Sequence, residues 1–331
     1  MPIIGRKFLI TGGASLIASH LTRALIAGGA SEVVLYDNLS LGSAALLGAF
    51  GSDARVRSIR GDVLRLPHLL DATTDATGIF ALAGYLTLPF AENPAAGADV
   101  NVMGMINTLE AARLSSPCRV VFASSVAVYG SDVEGVVDES RGFRAGDISA
   151  AAAAYGASKL LGESLGRLYA QRYGVECCAL RFSTVYGEHQ HARGVNALYI
   201  LEAMQALGAG RPIVVRGSGD EAHDYVYAGD VARACVRAMD AAGAAGAFNV
   251  ASGRSTSVNE VVAMVLDEYG ARLEPEHVAD TRTVRSTAHH ELHISTARAK
   301  EILGWEPAVP LREGISRLRR WLDAPERSIP S

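Results

Sequence analysis

The sequence predicts a doubly wound α/β fold, a parallel sheet with helices on both faces, followed by a smaller mixed α/β C-terminal domain. Short apolar runs alternate with helical stretches over residues 1–180. These runs mostly lack a polar/apolar alternation, as strands buried on both faces require. Beyond residue 181 the regular alternation gives way to a mixture of short elements. Residues 7–11, 32–37, 56–60, 78–82, 119–124 and 175–181 read as strands, and 16–27, 66–72, 96–114 and 154–173 as helices. Farther on, 195–207 and 230–240 read as helices and 212–216 and 248–250 as strands, while 257–269, 295–303 and 311–322 complete the mixed region. Residues 1–180 are read as the first domain and 181–331 as mainly the second, with the chain returning to the first within 225–253. Right-handed crossovers put the ligand crevice beyond the carboxyl ends of the strands, where strand order reverses.

Composition narrows the function classes. The 331 residues are 49% hydrophobic and 20% charged, enough apolar material for a sizeable core. The net charge is −4 and no Lys/Arg run follows a phosphate backbone, so no nucleic acid is expected as a partner. Cys118, Cys177, Cys178 and Cys235 form no CxxC pair, so no metal or redox site is expected, and they read as buried thiols in a reducing compartment. The N-terminus lacks a basic stretch followed by an apolar core, and no apolar run reaches the roughly 18 to 20 residues that span a bilayer. A soluble, cytoplasmic protein without a membrane partner is expected.

The first strand ends in Thr11-Gly12-Gly13-Ala14-Ser15-Leu16-Ile17-Ala18. A turn between strand and helix is where the pyrophosphate of a dinucleotide sits on a helix N-terminus, as in Rossmann-type domains. Gly12 and Gly13 keep part of the glycine spacing; Ser15 and Ala18 stand where glycines are expected. Ala18 suits the packing position, whereas Ser15 turns a side chain toward the phosphates, which either crowds them or donates to one. The second strand ends at Asp37, an acid that accepts from adenosine ribose hydroxyls and repels the 2′-phosphate of NADP. Asn38-Leu39-Ser40 supplies no arginine to neutralise that phosphate. Asp62, in Gly61-Asp62-Val63, either meets the adenine amino group or caps a helix.

Tyr155-Gly156-Ala157-Ser158-Lys159 carries the chemistry. Residues four apart share a helix face, and an ammonium beside a phenol lowers the tyrosine pKa toward working pH. The plain alternative is an exposed pair on an amphipathic helix. Upstream, Ser124-Ser125 end a strand, where hydroxyls face the ligand crevice.

Together these motifs resemble the extended short-chain dehydrogenase/reductases, in particular the nucleotide-sugar epimerases and dehydratases. The likeness continues through Asn101–Gly104, Leu180–Gly187, 223–230 and Leu303-Gly304-Trp305-Glu306-Pro307. It implies NAD as cofactor, Ser125 as the hydroxyl that orients the substrate oxygen, Tyr155 as general base, and Lys159 as the residue that tunes the base and binds the nicotinamide ribose. It places Gly12, Gly13, Ser15, Leu16, Ile17, Asp37, Asn38, Asp62, Val63, Leu82, Ala83 and Ala123 on the cofactor, and gives Asn101 a structural or water-ordering role. The helices holding Asn101 and Tyr155 resemble those of the family's four-helix homodimer interface.

The sequence also departs from the pattern. Ala81-Leu82-Ala83-Gly84 replaces His-Leu-Ala-Ala, Thr184 replaces an asparagine that meets substrate phosphates, and His223 replaces a diphosphate-binding arginine. His223 is either a ligand or a structural histidine. Arg193, Arg216 and Arg282 are the cations that could compensate. The expected activity is epimerisation of a nucleotide-diphosphate sugar through a transient keto intermediate, an isomerase built on oxidoreductase chemistry. The alternatives are an NAD-dependent dehydrogenase or dehydratase of a sugar or other hydroxylated small molecule, and a non-catalytic NAD-binding protein. Val126 and Ala127 after Ser125 cannot protonate a leaving hydroxyl, which favours epimerisation unless Glu134, Asp138 or Glu139 arrives from a loop.

Overall fold

Most strands of the N-terminal half of the chain are short, apolar and followed by a helix, and the molecule stacks them into one parallel sheet. The structure, a computed structural model, describes residues 2–115, 119–130, 135–146, 148–190, 198–281 and 293–324. Its strands are β1 (Lys7–Thr11), β2 (Glu32–Asp37), β3 (Val56–Arg60), β4 (Gly78–Ala81), β5 (Arg119–Ser125), β6 (Val136–Val137) and β7 (Cys177–Phe182). β8 (Thr184–Tyr186), β9 (Val214–Arg216), β10 (Ala222–Tyr227), β11 (Gly246–Val250), β12 (Ser255–Ser257), β13 (Glu276–Val278) and β14 (His293–Ile294) follow. The helices are α1 (Leu16–Ala27), α2 (Ala44–Gly48), α3 (Leu66–Thr73), α4 (Thr87–Glu92), α5 (Pro94–Ala98), α6 (Gly104–Leu114) and α7 (Ala150–Tyr173). Then come α8 (Leu198–Gly208), α9 (Ala228–Asp240), α10 (Val258–Tyr269) and α11 (Leu311–Asp323).

Seven strands form the large sheet in the order β11-β7-β5-β4-β1-β2-β3, every neighbouring pair parallel. The chain works outward from β1 through β2 and β3, then returns to β4 on the other side, so strand order reverses between β1 and β4. A ligand crevice opens at such a point. Both faces are covered. Phe8, Ile10, Leu35, Phe80, Leu180 and Phe248 pack one way, with α1 and α9, and Leu9, Val34, Ile79, Val120 and Phe122 the other, with α3 and α6. Smaller sheets, β12-β10-β8 and β13-β9, surround a third core of Tyr186, Ile200, Met204, Val215, Tyr225 and Val261. β11 joins the large sheet, and Leu303 and Trp305 pack into its core although they lie late in the chain. No helix among the described residues is long and apolar enough to cross a membrane.

The helix expected at 96–114 is interrupted. A π-helical turn, Asp99–Met103, joins α5 to α6, and Asn101 sits in it. Such turns insert one residue into a helix and recur at functional sites. α7 starts at Ala150, earlier than the expected 154, because Ser149 caps it by accepting from Ala152 N. β10 was not expected; its partners, β8 and β12, come from distant sequence.

Candidate active site

At the reversal point the turn after β1 is squeezed between two backbones. A Cβ on Gly12, whose φ is +70°, would stand 2.8 Å from the nitrogen of Ala83. One on Gly13 would stand 2.8 Å from Leu35 Cα. Glycine alone satisfies both positions, and the bare backbone just ahead of α1 is what an approaching pyrophosphate needs. Leu16 and Ile17 open that helix. Ser15 caps it: its hydroxyl donates to Gly12 O at 2.7 Å and accepts from Ala18 N at 3.4 Å. The Ser15 proton is therefore spent on the turn itself.

Asp37 is buried at the end of β2 and ties this turn to the second strand. One carboxylate oxygen accepts from Ala14 N at 3.0 Å and the other from Leu39 N at 2.7 Å. Asn38 donates to Asp62 at 3.3 Å. Asp62 accepts from Leu64 N at 2.9 Å, and the N-cap of α3 is Arg65, so the helix-capping alternative for Asp62 is set aside. Val63 packs beneath Gly104, where a Cβ would come within 2.8 Å of it. Asp37, Asn38 and Asp62 thus share one end of the crevice. Pairing of β2 with β3 also sets Arg60 opposite Asp37, a cation the local sequence does not bring there.

The loop after β4 closes the crevice. Leu82 N donates to Thr11 O at 3.2 Å and Ala83 N to Thr11 Oγ1 at 3.4 Å. Asn101, from the π turn, accepts from Tyr85 N at 2.7 Å and donates to Tyr85 O and to Ser158 Oγ, each at 3.1 Å. It fastens this loop to α7, the structural part of its expected role.

α7 lies close against β5 and the turn that follows it. A Cβ on Gly156 would fall 2.3 Å from Ala127 O, and one on Gly162 would fall 2.7 Å from the Phe122 ring. This brings Ser125, Tyr155 and Lys159 together. Ser125 Oγ accepts from Ala127 N at 3.1 Å and lies beside the Tyr155 phenol, whose pKa it acts to lower. The Lys159 ammonium donates to Ala123 O at 3.0 Å and stands 5.8 Å from the centre of the Tyr155 ring. Tyr155 and Lys159 are buried, so the exposed-pair alternative does not hold. The electrostatics differ from expectation. Burial raises the phenol pKa, and the Ser125 hydrogen bond opposes it only in part. Burial also brings Lys159 down from 10.5 to about 8. Desolvation dominates because both groups lie inside the fold.

The expected substrate residues are more dispersed. Thr184 is half-buried on β8, paired in register with Tyr225 of β10. His223 is buried, with Nε2 2.8 Å from Glu221 Oε1. Arg216 is exposed at the end of β9 and ion-paired with Glu202 at 3.4 Å. Arg193 and Arg282 lie outside the described residues. Sequence reading passed over Glu163 and Arg181, a buried ion pair directly behind Ser125; the spacing of Tyr155, Lys159 and Glu163, each four residues on, was its one local signal.

Residues 8–251 match the model of the NAD dependent epimerase/dehydratase family. The chain belongs to that family. It is 32% identical over 317 residues to a putative UDP-glucose 4-epimerase of Methanocaldococcus jannaschii, covering 95% of this chain and 97% of that protein. It is 33% identical over 319 residues to a UDP-glucose 4-epimerase of Mycolicibacterium smegmatis, covering 94% and 96%. Among solved structures it resembles the UDP-glucose 4-epimerase of Thermus thermophilus in complex with NAD, with a TM-score of 0.82, 29% identity and coverage of 95% and 98%. As an NAD-dependent epimerase/dehydratase, the chain has the glycine turn, the strand-end acid and the buried Tyr–Lys pair around one crevice.

Proposed function

We propose that this protein epimerises a nucleotide-diphosphate sugar at one carbon, with UDP-glucose and its C4 epimer the pair to test first. The observation that carries this is Ser125 beside the Tyr155 phenol at the strand end that α7 covers, with no acid among the described residues placed to expel a leaving group. Val126 and Ala127 follow Ser125. Of the acids from loops, Asp138 accepts from Ser140 N and Oγ, and Glu139 accepts from Asn249 N at 2.7 Å. Glu134 lies outside the described residues. The names of the two relatives described above support the same reaction, while other relatives, 25 to 28% identical, are named UDP-glucuronic acid decarboxylases.

NAD would lie along Gly12, Gly13, Ser15, Leu16 and Ile17, with Asp37, Asn38, Asp62 and Val63 at its adenosine end and Leu82, Ala83, Ala123, Tyr155 and Lys159 toward the nicotinamide. When bound, it supplies the acceptor and later the donor of a hydride. Ser125 holds the substrate oxygen. Tyr155 takes the proton from that hydroxyl as the alcohol becomes a ketone, and returns it when the ketone is reduced on the other face. Lys159 holds positive charge beside the phenol, which favours proton loss from it. Thr184 and Arg216, with Arg193 and Arg282, are the groups assigned to the diphosphate. His223, already taken up by Glu221, is assigned mainly to holding β10.

The test is incubation with UDP-glucose and related nucleotide sugars, followed by mass and NMR. Epimerisation leaves mass unchanged and alters the coupling at one carbon. A product lighter by about 18 mass units, one water, would show that an acid reaches the site, and one lighter by about 44, one carbon dioxide, would show decarboxylation of a keto acid; either as the main product overturns the epimerase reading. Turnover that requires stoichiometric added NAD would favour a dehydrogenase. Absence of hydride exchange with any labelled nucleotide sugar would favour a non-catalytic role.

The homodimer is part of the same proposal. Met103, Leu114, Leu161, Leu168 and Tyr173 are exposed apolar residues on or beside α6 and α7, and an association of these helices would cover them. Light scattering on the eluted protein tests it. A cytoplasmic location is supported by the free thiols of Cys177, Cys178 and Cys235.

A further inference from the structure

Tyr155, Lys159 and Glu163 follow one another at four-residue intervals on the face of α7 that covers the end of β5. Each reaches a different residue of that strand end. Tyr155 meets Ser125, Lys159 donates to Ala123 O at 3.0 Å, and Glu163 accepts from Ser124 Oγ at 2.6 Å. Glu163 is in turn gripped by Arg181, whose Nε donates to Oε1 at 2.9 Å and Nη2 to Oε2 at 2.7 Å. Ser124 and Arg181 are register partners on β5 and β7, so their side chains emerge on the same face.

The pair also holds the chain on the far side of Ser125. Arg181 Nη1 donates to the Tyr129 hydroxyl at 2.9 Å, and that hydroxyl donates to Asn249 Oδ1 at 2.5 Å. Tyr129 ends the 3₁₀ turn that begins at Val126. Ser125 is therefore bracketed by two side chains, Ser124 and Tyr129, that both return to one buried ion pair. Glu163, Arg181, Ser124 and Tyr129 are all buried. A buried ion pair is a weak source of stability, since apolar residues of equal volume often do as well. What it offers here is geometry.

We propose that Glu163 and Arg181 are positioning residues: acting through Ser124 and Tyr129, their ion pair sets the Ser125 hydroxyl against Tyr155. This rests on the reading that Ser125 and Tyr155 carry the chemistry. The hydrogen bond from Ser125 lowers the Tyr155 phenol against the rise that burial causes, so a displaced Ser125 leaves the phenol harder to ionise.

The experiment uses the NAD-loaded enzyme and the variants Ser124→Ala, Tyr129→Phe and Ser124→Thr. The first two each remove one hydroxyl and leave the ion pair in place; the third keeps the hydroxyl. Two readouts are taken: steady-state epimerisation across pH, and the titration of Tyr155 by NMR of ring-labelled tyrosine, assigned with Tyr155→Phe. Ser124→Ala and Tyr129→Phe should lower kcat by about 10- to 100-fold with KM and melting temperature little changed, the range that small misplacements of reacting groups cause. Both should move the Tyr155 titration and the matching limb of the pH–rate profile to higher pH, and Ser124→Thr should restore both. An unmoved Tyr155 titration in both alanine and phenylalanine variants would overturn the proposal, whether or not stability falls. If the wild type turns over no nucleotide sugar, the functional reading fails, and the NMR titration alone still decides whether the ion pair sets Ser125 against Tyr155.

Discussion

Replacing Lys159 with methionine should stabilise the cofactor-stripped protein near neutral pH while abolishing its activity. Burial lowers the lysine from 10.5 to about 8. At roughly 1.4 kcal/mol per pH unit, keeping this ammonium charged inside the fold costs about 3 kcal/mol near pH 7. Methionine is apolar and of similar reach, so it removes that cost. It also deletes the hydrogen bond to Ala123 O, worth about 1 kcal/mol, which leaves a net gain of about 2 kcal/mol. The pH dependence gives a sharper test. Because the folded pKa lies below the unfolded one, the unfolded chain binds the proton more tightly. The penalty in the parent is full below pH 8 and fades as pH rises from about 8 toward 10.5, with roughly 2 kcal/mol of it gone near pH 9.5. The advantage of the variant should therefore shrink or vanish over that range. Urea unfolding of both proteins near pH 7 and near pH 9.5 measures this, with changes shared by other groups cancelling in the difference. A variant less stable than the parent near pH 7, or a gap that stays constant with pH, would refute the reasoning.

Tyr155→Phe removes one hydroxyl and no packing volume; it should cut kcat by about 10² to 10⁴-fold with melting temperature and retained NAD unchanged, checked by turnover and by cofactor released on denaturation. Gly13→Ala drives a Cβ to 2.8 Å from Leu35 Cα and 2.9 Å from Tyr36 N, backbone that cannot yield, so the purified protein should carry little NAD and be less stable by about 1 to 3 kcal/mol. NAD should bind more tightly than NADP because the buried Asp37 carboxylate would face the 2′-phosphate; fluorescence titration showing equal or tighter NADP binding would point instead to Arg60, its register partner.

Much of this protein is written in short-range pattern. The first two strands and α1 match the expected bounds to the residue, because an apolar run bounded by a glycine turn or a helical period needs only its own neighbours to be recognised. The same holds for Gly12 and Gly13, for the acid closing β2, and for Tyr155 and Lys159 one helical turn apart. Other features depend on partners far along the chain. Glu163 meets Ser124 across 39 residues, and Tyr129 meets Asn249 across 120, so nothing local marks them as one network. The π turn that presents Asn101 follows a helix-compatible sequence, and its side chain is used by Tyr85 and Ser158 in a loop and a helix that only folding brings near. The Ser15 hydroxyl, open to two readings in the sequence, donates to Gly12 O, a partner that only the folded turn brings near. Burial set the state of the catalytic pair: spacing alone suggested a lysine that lowers the tyrosine, whereas packing inside the fold desolvates both, raising the phenol and lowering the ammonium, so the two pKa values move apart. Sequence periodicity specifies which groups share a face; how much water that face loses depends on everything packed upon it.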